Sequence, residues 1–204
     1  MEWSNLQSSL LKDLMIQVQD TQMTYYEYKF ISDTVHELNG ANFLVFGTGR
    51  DSKLWINSNN NGRTVFLEPD SKWAEIAAKD NPTSEIHHIS YDTRPEEALN
   101  LFFEYKKFGV FPKIPYIHEN IVNTEWDVIL IDSPVGSVNG RMCSIYLANE
   151  LASKTFRNTH IFLHDSHRDI ETLYGHLFLF PNSKIVEEYN SNTNEFTKLN
   201  YYMK

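Results

Sequence analysis

The sequence has little of several residue types, and each shortage narrows the class of protein. Its single cysteine, Cys143, excludes an intramolecular disulfide framework and a zinc site built from cysteines. Lysine and arginine total 18 against 27 acidic residues, and the net charge of −9 argues against a nucleic-acid partner. No apolar run approaches the roughly 20 residues of a membrane helix, and the N-terminus does not resemble a signal peptide. We therefore expect a soluble protein of a reducing compartment, cytoplasmic as the chain stands.

The composition is that of an ordinary globular protein. Of the 204 residues, 41% are hydrophobic and 22% are charged. We predict a single domain over residues 1–204, with an N-terminal helical extension over 1–40 and an α/β core over 41–204. The second helix of the extension is predicted from about Tyr25 to Leu38, and we expect the extension to cover a sheet edge or a cofactor pocket.

Short apolar runs alternate with helical periodicities after residue 41. Five buried strands are predicted, at 42–46, 63–67, 85–91, 127–131 and 160–163. Helices are predicted between them, at 52–58, 71–79, 95–107 and 141–153. Two more strand-like runs, 184–189 and 195–202, predict a terminal hairpin. The alternation predicts a mostly parallel sheet covered on both faces, with an antiparallel hairpin at its edge.

The stretch 108–124 fits neither period. It contains Pro112 and Pro115, and prolines of this spacing interrupt both helices and strands. We expect this stretch to be a loop over the carboxyl edge of the sheet, where open α/β folds bind ligands.

A glycine turn follows the first predicted strand, in the sequence FGTGRDS (46–52). Two glycines one residue apart let the backbone approach a ligand closely, and the following helix offers free N–H groups. Ser52 stands where the dinucleotide fingerprint has its third glycine, which favours a nucleoside without a pyrophosphate and disfavours a nicotinamide oxidoreductase. We take the candidate cofactor-binding residues here to be Phe46, Gly47, Thr48, Gly49, Asp51 and Ser52. A tight turn without a ligand is the alternative.

Acidic residues end the next two predicted strands. Glu68, followed by Pro69, lies about 20 residues after the glycines, where an acidic side chain is the usual acceptor for ribose hydroxyls. Asp92, followed by Thr93, could accept from an adenine amino group, although an Asx-type cap explains it nearly as well. Together with the glycine turn, these strand ends predict an adenosine site.

A second group of polar residues follows the fourth and fifth strands. Asp132 comes directly after the apolar run DVILI, and His164 and Asp165 come directly after IFL. Two aspartates and a histidine suit Mg²⁺, Mn²⁺ or Co²⁺, and they also suit general-base catalysis at neutral pH. A helix cap at Asp132 and a loop of satisfied polar groups at 164–168 are the alternatives.

Arginine and histidine side chains near this group are candidate substrate-binding residues. Arg141 begins the helix after the fourth strand, and His167 and Arg168 follow the fifth. A guanidinium can bind a carboxylate or phosphate of a substrate through two hydrogen bonds. An exposed arginine without a ligand is as common an outcome.

These segments resemble the plant glucuronoxylan 4-O-methyltransferases and their xylan-biosynthesis relatives. The matching pieces run in the family's order: NFLVFGTGRDSKLW (42–55), GRTVFLEPD (62–70), YDT (91–93), WDVILIDSPVG (126–136), GRMCSIYLA (140–148) and FLHDSHRDIE (162–171). The resemblance implies a Rossmann-like class I fold, a seven-stranded, mostly parallel sheet, and S-adenosylmethionine as the methyl donor. It implies an enzyme that methylates a sugar hydroxyl of a polysaccharide, and it leaves open dependence on a divalent metal.

By motif match, the resemblance implies that Gly47, Gly49 and Glu68 bind S-adenosylmethionine, with Asp92 near its adenine. The remaining matched residues concern the reaction. The resemblance implies that Asp132, His164 and Asp165 face the transferred methyl group and the acceptor hydroxyl, and we also count Asp132 among the candidate cofactor-binding residues.

A sugar hydroxyl is a poor nucleophile, so it must lose its proton as the methyl group moves in line from a sulfonium. We predict that Asp132 or His164 is the base. If a metal assists, Asp132 and Asp165 are its first expected ligands, with His164 as the third.

The plant members carry an N-terminal Golgi anchor, and this chain shows none. One explanation is that the chain is one domain of a larger glycan-synthesis protein, and its location is the Golgi lumen if the anchor has been removed. The expected partner is a carbohydrate acceptor, either a uronic acid or another sugar such as a deoxyhexose.

Two other functions stay open. A metal-dependent hydrolase could use Asp132, His164 and Asp165, but it would leave the glycine turn and Glu68 without a role. A non-catalytic partner in glycan biosynthesis could keep the fold without the reaction, but it would have no reason to retain the acidic and histidine strand ends.

Overall fold

A computed structural model describes residues 3–17, 23–179, 183–190 and 195–204. These residues form the helices α1 (Trp3–Gln17), α2 (Tyr25–Glu37), α3 (Ser52–Ser58), α4 (Ser71–Asp80), α5 (Ala98–Phe108), α6 (Glu119–Val122), α7 (Met142–Ala152) and α8 (Asp169–Phe178). They also form the strands β1 (Asn42–Phe46), β2 (Arg63–Glu68), β3 (Glu85–His88), β4 (Val128–Ile131), β5 (His160–Leu163), β6 (Ser183–Asn190) and β7 (Glu195–Met203). Among the described helices, none combines the length and the apolar character needed to cross a bilayer.

The seven strands form one sheet in the order β3-β2-β1-β4-β5-β7-β6. The first five strands are parallel, and β7 pairs antiparallel with both β5 and β6. The predicted sheet and its terminal antiparallel hairpin are therefore confirmed. The order reverses beside β1, so the carboxyl ends of β1 and β4 flank the crevice where such sheets bind ligands.

Alternate side chains of the central strands enter two separate cores. Leu44 and Phe46 of β1 pack with α7 and α8 on one face, whereas Phe43 and Val45 pack with α1, α2 and α3 on the other. All four are at most 2% exposed. A parallel sheet covered on both faces requires such continuous apolar strands.

The N-terminus of α2 is fixed by a buried carboxylate. Glu27 accepts a hydrogen bond from the backbone N–H of Thr24 at 2.7 Å, and Thr24 Oγ1 accepts from the backbone N–H of Glu27, which forms a capping box. Thr197 of β7 also donates to Glu27 at 3.0 Å. These contacts hold the start of α2 against the sheet, near the carboxyl end of β5.

The structure differs from the sequence-based elements at four places. The third strand ends at His88, earlier than predicted, and a 3₁₀ turn at Pro95–Glu97 precedes α5. The helices α6 and α8 were not predicted. Residues 191–194, where the hairpin turns, lie outside the described residues.

Most of 108–124 is a loop, as predicted, because 109–118 contains neither helix nor strand, but the prediction that it lies over the carboxyl edge is wrong. Phe111 of this stretch packs against aromatic side chains of α5, α7 and α8. Further along, Asn120 and Thr124 contact Glu85 and Arg63, at the amino ends of β3 and β2. The stretch therefore covers one face of the sheet, because Phe111, Ile114 and Ile121 are apolar and enter the core.

Candidate active site

A cavity of about 480 Å³ opens at the carboxyl ends of β1, β2 and β4, within the size range of small-molecule sites. Seven of the predicted site residues line it: Gly47, Thr48, Gly49, Asp51, Glu68, Pro69 and Asp132. The crevice beside β1 therefore gathers residues that are up to 85 positions apart in the sequence, as the topology of the sheet requires.

The glycine turn has the backbone that only glycine adopts easily. Gly47 has φ of +106°, and a Cβ there would lie 3.0 Å from the Cβ of Ser133. A Cβ on Gly49 would lie 2.8 Å from Asp51 Oδ1. Both glycines therefore let neighbouring side chains, or a ligand, come close to the main chain.

Glu68 holds the turn from the neighbouring strand. Its Oε2 accepts hydrogen bonds from the backbone N–H of Thr48 at 2.6 Å and from the Thr48 hydroxyl at 2.8 Å. Its Oε1 accepts from the backbone N–H of Asp70 at 2.8 Å. Each carboxylate oxygen keeps further acceptor capacity, so Glu68 can fix the turn and accept from a ligand hydroxyl.

Asp51 is the N-cap residue of α3 and faces the cavity. Removal from water raises the pKa of Asp51 to about 7, and the negative charge of Asp132 adds to this rise. Tyr28 of α2 lines the same cavity and is 4% exposed. Burial raises the pKa of Tyr28, and the charges of Asp51 and Asp132 raise it further, so its hydroxyl stays a donor.

Asp132 and His164 form a hydrogen-bonded pair at the ends of β4 and β5. Asp132 Oδ1 and His164 Nδ1 are 2.8 Å apart. Burial alone would lower the pKa of His164, but the charge of Asp132 and its hydrogen bond raise it, to about 8. Burial alone would raise the pKa of Asp132, but His164 and Arg141 lower it. Each partner thus favours the charged form of the other.

Asp165 completes the cluster from a left-handed backbone conformation, with φ of +56°. Its Oδ2 is 3.5 Å from His164 Nδ1 and 2.8 Å from Nη1 of Arg168. The left-handed region is uncommon outside glycine, and aspartate is among the residues that enter it most readily. Such outliers cluster at functional sites.

Arg141 is buried, with its side chain 3% exposed, and it lies between the two carboxylates. Its Nη2 is 3.1 Å from Asp132 Oδ1 and 3.0 Å from Asp165 Oδ2. Its Nη1 donates to the backbone carbonyl of His164 at 2.8 Å, and Glu171 of α8 lies 3.8 Å from its Nε. Arg141 was predicted to bind substrate, but the structure places its guanidinium on protein acceptors.

The donor set of this cluster fits a divalent cation. Asp132, His164 and Asp165 each offer one ligand atom, and these atoms lie within 4.8 Å of one another. Among the described residues, the buried His164 Nε2 has no hydrogen-bond partner, whereas Asp165 Oδ2 lies within ion-pair distance of Arg141 and Arg168. Arg141 contacts both carboxylates, so a cation and its guanidinium would compete for the same oxygen atoms.

The remaining predicted residues lie around the cavity or away from it. Phe46 and Ser52 are buried behind the turn, and Ser52 Oγ accepts from the backbone N–H of Gly49 at 3.0 Å. Thr93 is buried and bonds to the loop before α7, while Asp92 is exposed, and neither lines the cavity. His167 is exposed.

The sequence analysis did not identify the cavity residues that come from the N-terminal extension and from α4. Met23 and Tyr28 line the cavity from the N-terminal extension, which agrees with the expectation that the extension covers a pocket. Trp73 of α4 also lines it and is 43% exposed. The available signal was an aromatic residue soon after a strand end of the kind that binds nucleosides. The signal was not followed, because a tryptophan in an amphipathic helix is usually packed.

The fold and the site define the class I methyltransferase architecture. The solved O-methyltransferase from Bacillus cereus in complex with SAH superposes with a TM-score of 0.58 at 17% identity, over 95% of this chain and 90% of that one. A methyltransferase from Pyrococcus furiosus gives a TM-score of 0.55 at 16% identity, over 99% of each chain. At these identities the likeness establishes the fold.

The sequence establishes the family. The family described as IRX15/IRX15L/GXM matches residues 26–194, and the chain belongs to this family. It is 35% identical to Arabinogalactan O-methyltransferase 2 of Arabidopsis thaliana, over 80% of this chain and 63% of that protein. It is 33% identical to Glucuronoxylan 4-O-methyltransferase 2 of the same plant, over 78% and 60%. The chain thus spans less than two thirds of these relatives.

Proposed function

We propose that this chain is an S-adenosylmethionine-dependent O-methyltransferase that transfers a methyl group to a sugar hydroxyl of a glycan. One observation carries the proposal: a single cavity joins a glycine turn held by Glu68 to the Asp132–His164 pair. The first feature suits an adenosine cofactor and the second suits a proton transfer. The names of the relatives, which are methyltransferases of arabinogalactan and glucuronoxylan, support the same reaction.

The charge of the cavity favours S-adenosylmethionine over a dinucleotide. Its charged lining consists of Arg50, Asp51, Glu68, Asp70 and Asp132. Four carboxylates against one arginine would repel the two negative charges of a pyrophosphate, whereas they attract a sulfonium and an ammonium.

The strand ends support one arrangement of the cofactor in the cavity. Glu68 ends β2 and would accept from the ribose hydroxyls. Trp73 lies on the helix that follows β2, where its exposed ring could stack on the adenine. The methyl group would then lie toward β4, near Asp132. Asp92 and Thr93 can contact the adenine only if the loop after β3 moves toward the cavity.

In the reaction, the acceptor oxygen forms a bond to the methyl carbon while the carbon–sulfur bond breaks. The hydroxyl proton must go to a base of the protein. Asp132 lines the cavity with its side chain 23% exposed, whereas His164 is fully buried behind it. We therefore assign the contact with the acceptor hydroxyl to Asp132, and His164 sets the charge and orientation of that carboxylate.

Arg141 and Asp165 position this base. Arg141 bridges Asp132 and Asp165 and bonds to the backbone carbonyl of His164. These contacts fix the orientation of the Asp132 carboxylate, and fixed orientation is a large part of the catalytic advantage of a bound group.

If the enzyme uses a divalent metal, then Asp132, His164 and Asp165 would hold it. Such a cation supplies a Lewis acid that lowers the pKa of the acceptor hydroxyl. The protein residues would still orient the acceptor and exclude water. Arg141 would then release its contacts with the two carboxylates.

The acceptor would enter over the exposed end of the cluster. Arg168 is 43% exposed and contacts Asp165, and His167 beside it is exposed. A guanidinium there could bind the carboxylate of a uronic acid. A neutral deoxyhexose would use hydrogen bonds alone, so substitution of Arg168 by glutamine would weaken only an acidic acceptor.

Two measurements test the proposal. Titration calorimetry of the purified chain with S-adenosylmethionine and with NAD should show saturable binding of the first alone. Transfer of labelled methyl groups should then be measured with glucuronoxylan and with arabinogalactan, with and without a chelator and added Mn²⁺ or Co²⁺. Absence of S-adenosylmethionine binding would contradict the proposal. Binding without transfer to any glycan would favour a non-catalytic partner.

A further inference from the structure

The carboxylates of the cavity differ in their partners, and Asp51 forms no ion pair with any described residue: the side chains that hydrogen-bond to it, Trp55 and Tyr28, are uncharged. Asp132 pairs with His164 and Arg141, Glu68 accepts from Thr48 and Asp70, and Asp70 caps α4. Within the described part of the chain, no ion pair involves Asp51, although its side chain faces the cavity. A carboxylate held partly out of water without a counter-charge is costly, so a positively charged ligand would relieve this cost.

The surroundings of Asp51 would strengthen such a contact. Its Oδ1 lies directly over the glycine turn, 2.8 Å from where a Cβ of Gly49 would stand. Tyr28 and Trp55 form the wall behind it, and they are 4% and 1% exposed. A cation that meets Asp51 there is shielded from water, which increases the electrostatic attraction.

The position of Asp51 selects which positive charge of the cofactor it meets. In the proposed arrangement, on which this inference rests, the ribose lies at the end of β2 and the sulfonium lies near Asp132 at the end of β4. The methionine part continues from the sulfonium, and its remaining wall is formed by α2 and the start of α3. Asp51 and Tyr28 stand on that wall.

We propose that Asp51 binds the α-ammonium group of the methionine part of the cofactor, and that it is a specificity-determining residue for amino-acid-bearing adenosyl ligands. The contact is made equally with S-adenosylmethionine and with S-adenosylhomocysteine, because both carry the ammonium. It is absent from 5′-methylthioadenosine, which has the adenosyl part but no amino acid. Asp51 thus distinguishes a complete cofactor from its breakdown product.

Calorimetric titration of the wild-type chain and the Asp51→Asn variant with these three ligands tests the proposal. We expect the variant to bind S-adenosylmethionine and S-adenosylhomocysteine about tenfold more weakly or worse, by the same factor, since a hydrogen bond to a charged group is lost. Binding of 5′-methylthioadenosine should not change. Asp80→Asn is the matched control, because it removes the same charge from the exposed end of α4 and should leave all three affinities unchanged.

A ligand-side variation keeps the test valid if the variant folds poorly. The wild-type chain should bind S-adenosylhomocysteine without its amino group about tenfold more weakly than S-adenosylhomocysteine. In a folded Asp51→Asn variant, removal of the amino group from the ligand should weaken binding little further. The substitution and the removal of the amino group abolish the same interaction.

Other outcomes overturn the proposal in distinguishable ways. A loss confined to S-adenosylmethionine would assign Asp51 to the sulfonium, and an equal loss for all three ligands would assign it to the shape of the glycine turn. Full affinity of the deaminated ligand for the wild-type chain would also contradict the proposal. If the wild-type chain binds none of the three, the proposed function itself fails.

Discussion

Asp132 Oδ1 and His164 Nδ1 are 2.8 Å apart, although 32 residues separate the two side chains in the sequence. The pairing follows from the sheet. The last residues of β4 and β5, Ile131 and Leu163, are partners in the parallel register, so the residues that follow them are neighbours at the carboxyl edge. The register of the apolar strands therefore places the two polar side chains next to each other.

Substitution of Asp132 by asparagine should abolish most methyl transfer and weaken S-adenosylmethionine binding far less. Asparagine keeps the shape but cannot accept the hydroxyl proton, and a general base is commonly worth about 10²–10⁴-fold in rate. The single-turnover rate and the affinity for S-adenosylmethionine should be measured in wild type, in Asp132→Asn and in the control variant Asp80→Asn. Unchanged transfer in Asp132→Asn would remove Asp132 from the mechanism.

The stability of the fold should fall as the pH rises above 7. His164 has a pKa of about 8 in the folded protein against about 6.5 in an unfolded chain. The charged imidazole thus contributes about 2 kcal/mol below pH 6.5, and this contribution is lost as the pH rises through 8. Asp51, whose pKa is raised to about 7, adds its own loss of stability up to about pH 8, so the contribution of His164 is the difference between wild type and a His164 variant.

Thermal unfolding between pH 6.5 and 9 measures this loss. The melting temperature of wild type should decline over the window, and that of His164→Gln should decline less, because glutamine does not titrate. A parallel decline in both proteins would show that another group causes it.

Removal of Arg141 should be strongly destabilising. Its side chain lies among Asp132, Asp165 and Glu171, with Glu171 almost fully buried. Arg141→Met leaves these carboxylates without their central positive charge, and breaking a buried ion pair in this way costs about 3–5 kcal/mol. Urea unfolding measures the change.

Arg168→Gln is the matched control for this substitution. Arg168 also contacts Asp165, at 2.8 Å, but its side chain is 43% exposed. Solvent screening should limit its contribution to less than about 1 kcal/mol. Equal losses of unfolding free energy in Arg141→Met and Arg168→Gln would mean that burial of an arginine does not determine how much it stabilises the cluster.

Much of the fold could be predicted from local pattern. The continuous apolar runs at β1, β4 and β5 allow only buried strands, and their predicted bounds match the structure within one residue. In contrast, α8 was missed, although Ile170, Leu173 and Tyr174 follow a helical spacing. Gly175 within the helix and the polar run before it masked that period.

The site could be predicted only where it depends on strand ends. Because parallel strands end at one edge, Glu68, Asp132 and His164 could be assigned to it from the sequence. The contributions of α2 and α4 could not be predicted, because the local sequence does not show which face of a helix lies against the cavity. Arg141 was expected to contact substrate, because the sequence around it does not show that it is buried. Its burial depends on carboxylates that two distant segments supply.

Glu68→Gln should weaken all adenosyl ligands by a similar factor. The substitution replaces an acceptor that Thr48 and Asp70 share, and it removes the expected ribose contact. We expect about tenfold weaker binding of S-adenosylmethionine, S-adenosylhomocysteine and 5′-methylthioadenosine, by calorimetry. This pattern differs from the one expected for Asp51→Asn, which spares the third ligand. Full affinity for 5′-methylthioadenosine in Glu68→Gln would contradict the ribose assignment.

Cofactor binding near pH 7 should release protons, and Asp51 should be their source. With a pKa of about 7 in the free protein, the carboxyl is about half protonated at that pH. An ammonium placed beside it lowers its pKa, so binding releases about half a proton at pH 7 and progressively less as the pH rises toward 9. Calorimetry in phosphate and in Tris, which differ in ionisation enthalpy, gives the number directly. Asp51→Asn should abolish this release, and proton uptake in wild type would show that the ligand places no positive charge beside Asp51.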